Sequence, residues 1–334
     1  MKKIFRSLAA ALMLVILCLP MIGCNGTPED PDKDHTGGED LIRTGILEDK
    51  TFEKGFSIAY MSDKNYIDYG GTIQQGEWRW GINEEGSADV INADTAITEE
   101  DGFQVFRSPN GSKTIKVDTE TGRFYLELNA SVDYGDHIRQ DGEAWPHLLF
   151  TQNYDEGKLP LLSQMQNLYM EIDFDFVKFE DKMGDSANRN KHACQFQWYV
   201  AIKNVNPDSP DFGDWFWLGL QFFDNRYTFC PQNLIVDGGK DTATGKAIYT
   251  VDMRSVMNKK VVEAGESYSV KFDILPEIEN ALLQLKDFED MDTLRHTELK
   301  DLRIFHTNIG WEMPGSYDAA VQVNSWDFVY TTQK

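Results

Sequence analysis

Met170-Glu171-Ile172-Asp173-Phe174-Asp175-Phe176 places an apolar side chain at every second position and a carboxylate at each one between. In an extended strand successive side chains leave opposite faces, so Met170, Ile172, Phe174 and Phe176 share one face and Glu171, Asp173 and Asp175 the other. At 3.6 residues per turn a helix would mix the two sets, so the stretch reads as a half-buried β-strand. The same alternation occurs at 124–129, where Phe124, Leu126 and Leu128 interleave with Tyr125, Glu127 and Asn129. The runs 195–205, 215–223, 247–253, 268–275 and 319–330 are rich in β-branched and aromatic residues, and turn clusters such as Pro109-Asn110-Gly111, Asp208-Ser209-Pro210 and Gly238-Gly239 lie between strands. One helix is expected after Leu275, where Pro276 suits a first turn and Ile278, Ala281, Leu282 and Leu285 recur on one face. Many strands with one short helix predict a mostly β fold, a two-sheet antiparallel jelly-roll sandwich.

Upstream of the strands the composition changes. Lys2, Lys3 and Arg6 precede an apolar run over 8–19 and then Met21-Ile22-Gly23-Cys24. A positive start, a short apolar stretch and a small residue before a cut describe a secretory signal. Twelve apolar residues are too few to cross a bilayer, which takes roughly 20. The arrangement resembles a bacterial lipoprotein signal, with Met21 where that motif carries Leu. The resemblance implies a diacylglycerol on Cys24, a lipid anchor to the membrane, and a location at the cell envelope facing outside the cytoplasm. The next stretch, NGTPEDPDKDHTGGED over 25–40, has too little apolar surface to offset its ordering entropy. The expected organisation is therefore a signal over 1–23, a disordered acidic tether over 24–45, and a jelly-roll domain over 46–334.

Loss of the signal removes three basic residues and no acidic one, leaving 29 basic against 55 acidic residues and a net charge of −26. Such a surface repels phosphate backbones, so no nucleic-acid partner is expected. Cys194 and Cys230 remain after processing, both in apolar runs, and are open to either one bridge or two buried thiols. The sequence holds no Gly-rich phosphate loop, His-Glu-x-x-His or Cys-x-x-Cys, and no cofactor is required by anything it shows. Acidic loops leave room for a structural calcium ion whose ligands the sequence does not name.

Residues 50–332 resemble, in architecture, the concanavalin-like jelly rolls, a superfamily of lectins, sugar-binding modules, laminarinase-type glycosidases and several polysaccharide lyases. The most specific piece is 301–330, where a strand, the turn Gly310-Trp311-Glu312-Met313-Pro314-Gly315 and a last alternating strand suggest a closing antiparallel pair. The resemblance implies a polysaccharide or oligosaccharide partner, bound without chemistry or cleaved by a hydrolase or lyase on the same fold, and a structural or adhesive envelope role is the remaining alternative. Three groups of residues are candidates. Glu171, Asp173 and Asp175 look like the Glu-x-Asp-x-Glu strand of retaining laminarinase-type enzymes, with Asp175 one methylene short at the acid/base position. Arg139, His147, Gln152, His192 and Gln195 are the residue types a lyase groove uses to neutralise a uronate and move its α-proton, and Trp145 in the same stretch is a candidate for carbohydrate binding. Trp215 and Trp217 share one strand face and precede Asp224 and Arg226. They form either a sugar-stacking platform with polar groups for hydroxyls, or part of the core.

Overall fold

The apolar set of 170–176 does face inward: Met170, Ile172, Phe174 and Phe176 are buried, while Glu171, Asp173 and Asp175 remain partly open to solvent. The computed structural model describes residues 41–58, 66–67, 79–92, 94–135, 137–155, 157–238 and 243–334. The strands are β1 Leu41–Gly45, β2 Phe56–Ser57, β3 Tyr66–Ile67, β4 Trp80–Asn83, β5 Thr98–Glu100, β6 Phe103–Arg107, β7 Lys113–Val117, β8 Phe124–Asn129, β9 His147–Asn153, β10 Asn167–Asp181, β11 Gln195–Asn204, β12 Trp215–Asp224, β13 Asn233–Val236, β14 Ala247–Thr250, β15 Glu266–Asp273, β16 Leu302–Glu312 and β17 Tyr317–Gln333. A first sheet runs β15-β10-β17-β8-β7-β6-β5 with β1 on the end of β17, and a second runs β13-β14-β12-β11-β16-β9-β4-β2-β3. Pairing is antiparallel except between β12 and β14 and between β2 and β4. The result is a two-sheet jelly-roll sandwich, and Asp40–Lys334 forms one compact unit.

Aromatic rings from both sheets interlock between the layers. Trp326 of β17 meets Trp80 of β4 at 5.0 Å and Trp198 of β11 at 5.8 Å, Phe124 meets Phe150 at 5.3 Å, and Phe174 meets Phe196 at 5.4 Å. Each such ring contributes roughly 1.5–3 kcal/mol by leaving water, with a further gain from its edge-on or tilted neighbours. The helix Leu275–Lys286 forms where periodicity placed it, with Pro276 in its first turn and Ile278, Ala281, Leu282 and Leu285 buried.

Several expectations need correction. Residues 41–45 are not tether: β1 pairs with β17 from Leu41↔Gln333 to Gly45↔Val329, because backbone bonds to a long strand order a segment with little apolar surface of its own. The chain around 313 does not close a hairpin. β16 pairs with β11 and β9, whereas β17 pairs with β1, β8 and β10, so residues 313–316 carry the chain from one sheet to the other. Four residues reach about 13 Å, enough to cross layers about 10 Å apart. Cys194 and Cys230 are free and buried, and burial pushes the Cys230 thiol up to about 12. Trp80 is core; Trp78 and the lipidation candidate Cys24 lie outside the described residues. Among the described residues no three His, Cys, Asp or Glu side chains are grouped to hold a metal ion.

Candidate functional site

The face of the second sheet turned away from the core carries a groove of about 1010 Å³. Strand registers set its floor, because residues paired across adjacent strands point the same way. One line carries Asp224, Gln195, Glu312 and His147 across β12, β11, β16 and β9. The next carries Gln197, Gly310, Leu149 and Asn83, and the one after it Gly219, Tyr199, Asn308, Thr151 and Gly81. The fourth carries Trp217, Ala201, His306 and Asn153. Tyr199 lies over Gly219, where any side chain would strike its ring within 2.1 Å, and this keeps the middle of the floor low. Gly86, at φ +72°, lets the turn after β4 press against the Trp145 backbone, where a Cβ would come within 2.3 Å of its carbonyl oxygen. That contact brings Glu84 and Glu85 to the rim beside Trp145.

Glu312 and His147 are the chemically informative pair. Nδ1 of His147 lies 2.9 Å from the Glu85 carbonyl, which can only accept, so Nδ1 carries a proton. Nε2 then faces Oε1 of Glu312 at 2.9 Å, a contact that requires one proton between two atoms each able to accept. The pair is therefore either imidazolium with carboxylate or neutral imidazole with carboxylic acid. Gln197 donates to the other Glu312 oxygen at 3.1 Å, fixing the carboxyl, and 17% of the Glu312 side chain remains exposed to the groove.

Two other groove-lining groups have displaced proton equilibria. Burial pushes Glu84 up to about 7, against a backbone bond from Ile91 and the nearby Lys113, with Asp133 and Asp89 reinforcing the rise. Burial takes His306 down to about 4, so its imidazole is neutral at ordinary pH. The Glu84 shift has a stability consequence. A carboxyl whose folded pKa lies above its unfolded one stabilises the fold below about 4.5, and that contribution is lost as pH rises through about 7. Melting temperature is expected to fall between pH 5 and 8 by an amount matching on the order of 3 kcal/mol. In Glu84→Gln this part of the slope should vanish in calorimetric scans across that range; an unchanged slope would assign it elsewhere.

The candidates from sequence divide sharply. His147, Gln195, Trp145, Trp217 and Arg226 line the groove. Asp224 stands in its floor with a side chain 0% exposed, occupied by Arg226 at 2.7 Å, Gln221 at 2.7 Å and Gln195 at 3.0 Å. It orients those three rather than meeting a ligand. Trp215 lies on the same strand face, its ring 5.3 Å from Trp217, while Phe216 between them is core. Arg139 is a loop clasp, donating to the Glu143 and Lys191 carbonyls and stacking over Trp145 at 5.6 Å. His192 donates to the Arg139 carbonyl and accepts from the Asn188 amide, and Gln152 points to the other side of β9 and ties both backbone groups of Glu48. Glu171, Asp173 and Asp175 lie on the outer face of the first sheet, paired with Arg43, Ser325 and Ser267. Neither the lyase set nor the acidic strand assembles as a site.

Sequence reading missed Glu312, Glu84, Glu85, Gln197, Asn308 and His306. The signal at Glu312 was the alternation of Thr307, Ile309 and Trp311 with Asn308 and Glu312, hidden because Gly310, Pro314 and Gly315 suggested a turn. At the centre of the floor the side-chain amide oxygen of Asn308, Oδ1, is buried without a hydrogen-bond partner among the described residues.

No family model and no curated protein matches the chain. Among solved structures it is similar to a meso-active, thermo-stable cellulase derived from the Cel12A cellulase of Rhodothermus marinus, at 10% identity over 72% of this chain and 96% of that one, TM-score 0.38. It is also similar to the family 11 xylanase from Neocallimastix patriciarum, at 11% identity over 73% and 98%, TM-score 0.40. A third is the native family 12 xyloglucanase from Bacillus licheniformis, at 11% identity over 75% and 99%, TM-score 0.39.

Proposed function

We propose that the groove binds a polysaccharide or oligosaccharide and that the protein is a glycoside hydrolase acting through Glu312. The observation that carries this reading is the one-proton Glu312–His147 pair in the floor of an open groove with Trp145 and Trp217 lining it. Flat indole faces suit sugar rings, and the unpartnered Asn308 oxygen suits a sugar hydroxyl. Glycosidic cleavage needs one carboxyl that can give a proton and a second that can take one or attack. Glu312 meets the first need, with His147 as the reservoir for its proton. Glu85 is the partner, on the far side of β9 from Glu312, so the two backbones stand about two strand spacings, ~9.6 Å, apart. If the two carboxyls keep a comparable separation, a water fits between them and inversion at the anomeric carbon is the expected outcome.

Incubation with a panel of neutral glycans, followed by binding and product analysis, tests the reading. The expected result is cleavage of at least one bound glycan with inverted products. In Trp217→Ala, affinity for that glycan should fall by about 1 kcal/mol or more. Binding without products would favour the non-catalytic alternative, and no binding at all would remove the glycan reading. An acylated Cys24 would hold this groove at the cell envelope, outside the cytoplasm, which detergent-phase partitioning of the mature protein examines.

A further inference from the structure

Aromatic rings stand at both ends of the line that carries Glu312. That line runs Asp224, Gln195, Glu312 and His147 across β12, β11, β16 and β9. At the β9 end, Trp145 comes just before Pro146 and His147. At the β12 end the chain turns, the Tyr227 amide donating to the Asp224 carbonyl at 2.9 Å, and Tyr227 lines the groove with 48% of the residue exposed. The two ends are built alike. The Arg226 guanidinium lies over the Tyr227 ring at 5.6 Å from its centre, and the Arg139 guanidinium over the Trp145 ring at the same distance. Asp224 holds Arg226 through Nε at 2.9 Å and Nη2 at 2.7 Å, while the Glu143 and Lys191 carbonyls hold Arg139. A clasped planar cation against a ring makes that ring a stiff plate at the edge of the groove.

A second row of groups runs along β16 instead of across the sheet. Gly310 places no side chain between Glu312 and Asn308, and Oδ1 of Asn308 is buried without a hydrogen-bond partner among the described residues. An unmatched buried acceptor carries a desolvation cost that an arriving hydroxyl donor recovers. Farther along stands Trp217, which lines the groove and whose ring meets His306 edge-on at 5.4 Å across the small Ala201. At the backbone, β16 covers about 20 Å from Glu312 to His306, and the three strand spacings from Asp224 to His147 cover about 14 Å. Tyr227, Trp145 and Trp217 therefore stand at the corners of a triangle. An unbranched chain passes over two corners and leaves the third idle.

We propose that the groove takes a branched glycan, its main chain lying across the strands between Tyr227 and Trp145 and its branch running along β16, past Asn308, to Trp217. The inference rests on the reading of the groove as a glycan site and names the class of glycan. Tyr227 is a third stacking platform, and Asn308 is the acceptor for a hydroxyl of the branch. The two rows meet at Glu312, so the main-chain bond brought to it is one beside the branch point.

Calorimetric titration of the mature protein tests this with two sets of probes: linear neutral oligosaccharides of glucose, xylose and mannose, and branched ones of the same sugars with the same number of units. Branched probes of at least one sugar should bind about tenfold more tightly than their linear counterparts. Tyr227→Ala should weaken both sets about fivefold, and Tyr227→Phe, which keeps the ring, should weaken neither. Trp217→Ala and Asn308→Ala should each weaken the branched probes about fivefold and leave the linear ones unchanged, with melting temperatures as in the parent protein. Equal affinity for linear and branched probes would overturn the branch and leave the glycan reading intact. Branched probes that bind tightly to Tyr227→Ala would place the chain between Trp145 and Trp217 alone and overturn the three-platform arrangement. Failure of every probe to bind would remove the glycan reading and this inference with it.

Discussion

Glu312→Gln is expected to lower the rate of glycan cleavage by about a thousandfold while changing glycan affinity by no more than about threefold. The amide keeps the length of the side chain, can still accept from Gln197, and can donate to the Nε2 of a neutral His147, so the floor keeps its shape. It lacks only the exchangeable proton. His147→Ala should act in the same direction but less severely, about a hundredfold, because Glu312 stays in place and loses the group that shares its proton. The informative readout is the pH profile of the rate, which should differ between the parent protein and His147→Ala because the proton that Glu312 shares across the 2.9 Å contact has lost its second site. Steady-state rates on whichever glycan is cleaved settle the matter: a Glu312→Gln protein retaining a third of the parent rate places the chemistry elsewhere.

The second large effect concerns stability. Asp133→Ala should destabilise the protein by about 3–5 kcal/mol, lowering its melting temperature by roughly 10 °C. Lys113 and Asp133 form an ion pair at 3.2 Å with side chains 0% and 2% exposed, and removing the carboxylate strands a buried ammonium. Asp133 also accepts from the Ala88 amide at 2.7 Å and the Asp89 amide at 2.9 Å. Asp89 in turn gathers Ser108, Asn110 and Ser112, so the pair fastens the segment that follows Glu84 and Glu85. Replacing both charges, as in Lys113→Met with Asp133→Leu, should cost distinctly less than Asp133→Ala alone, since no uncompensated charge remains. Thermal unfolding of the three proteins checks this. A double variant as unstable as the single one would mean that the hydrogen bonds to the backbone, not the charge, hold the segment.

Alternation made the fold legible. Met170 through Phe176 and Phe124 through Asn129 name their own inward faces, and the spacing of Ile278, Ala281, Leu282 and Leu285 names a helix, because these patterns span a few neighbouring residues and need no partner to be read. The same locality explains the error at 310–315. Gly310, Pro314 and Gly315 carry strong turn signals, but whether a turn returns to the same sheet or crosses to the other depends on residues far along the chain. Trp215 and Trp217 show the limit of a strand pattern: it says that they share a face and leaves open which face is covered.

The site itself was hardly legible. Its floor line joins Asp224, Gln195, Glu312 and His147, with Glu85 bonded to His147, from strands scattered between positions 85 and 312. The carboxylates of 171–175, conspicuous in the sequence, lie on the other sheet. By itself the sequence determined the strand and helix types, the inward faces and the acidic charge of the chain, because each is a property of short-range periodicity or of composition. Only the tertiary structure decided which polar residues meet, since that is fixed by registers between strands far apart in the chain, each set by the packing of buried rings such as Trp80, Trp198 and Trp326.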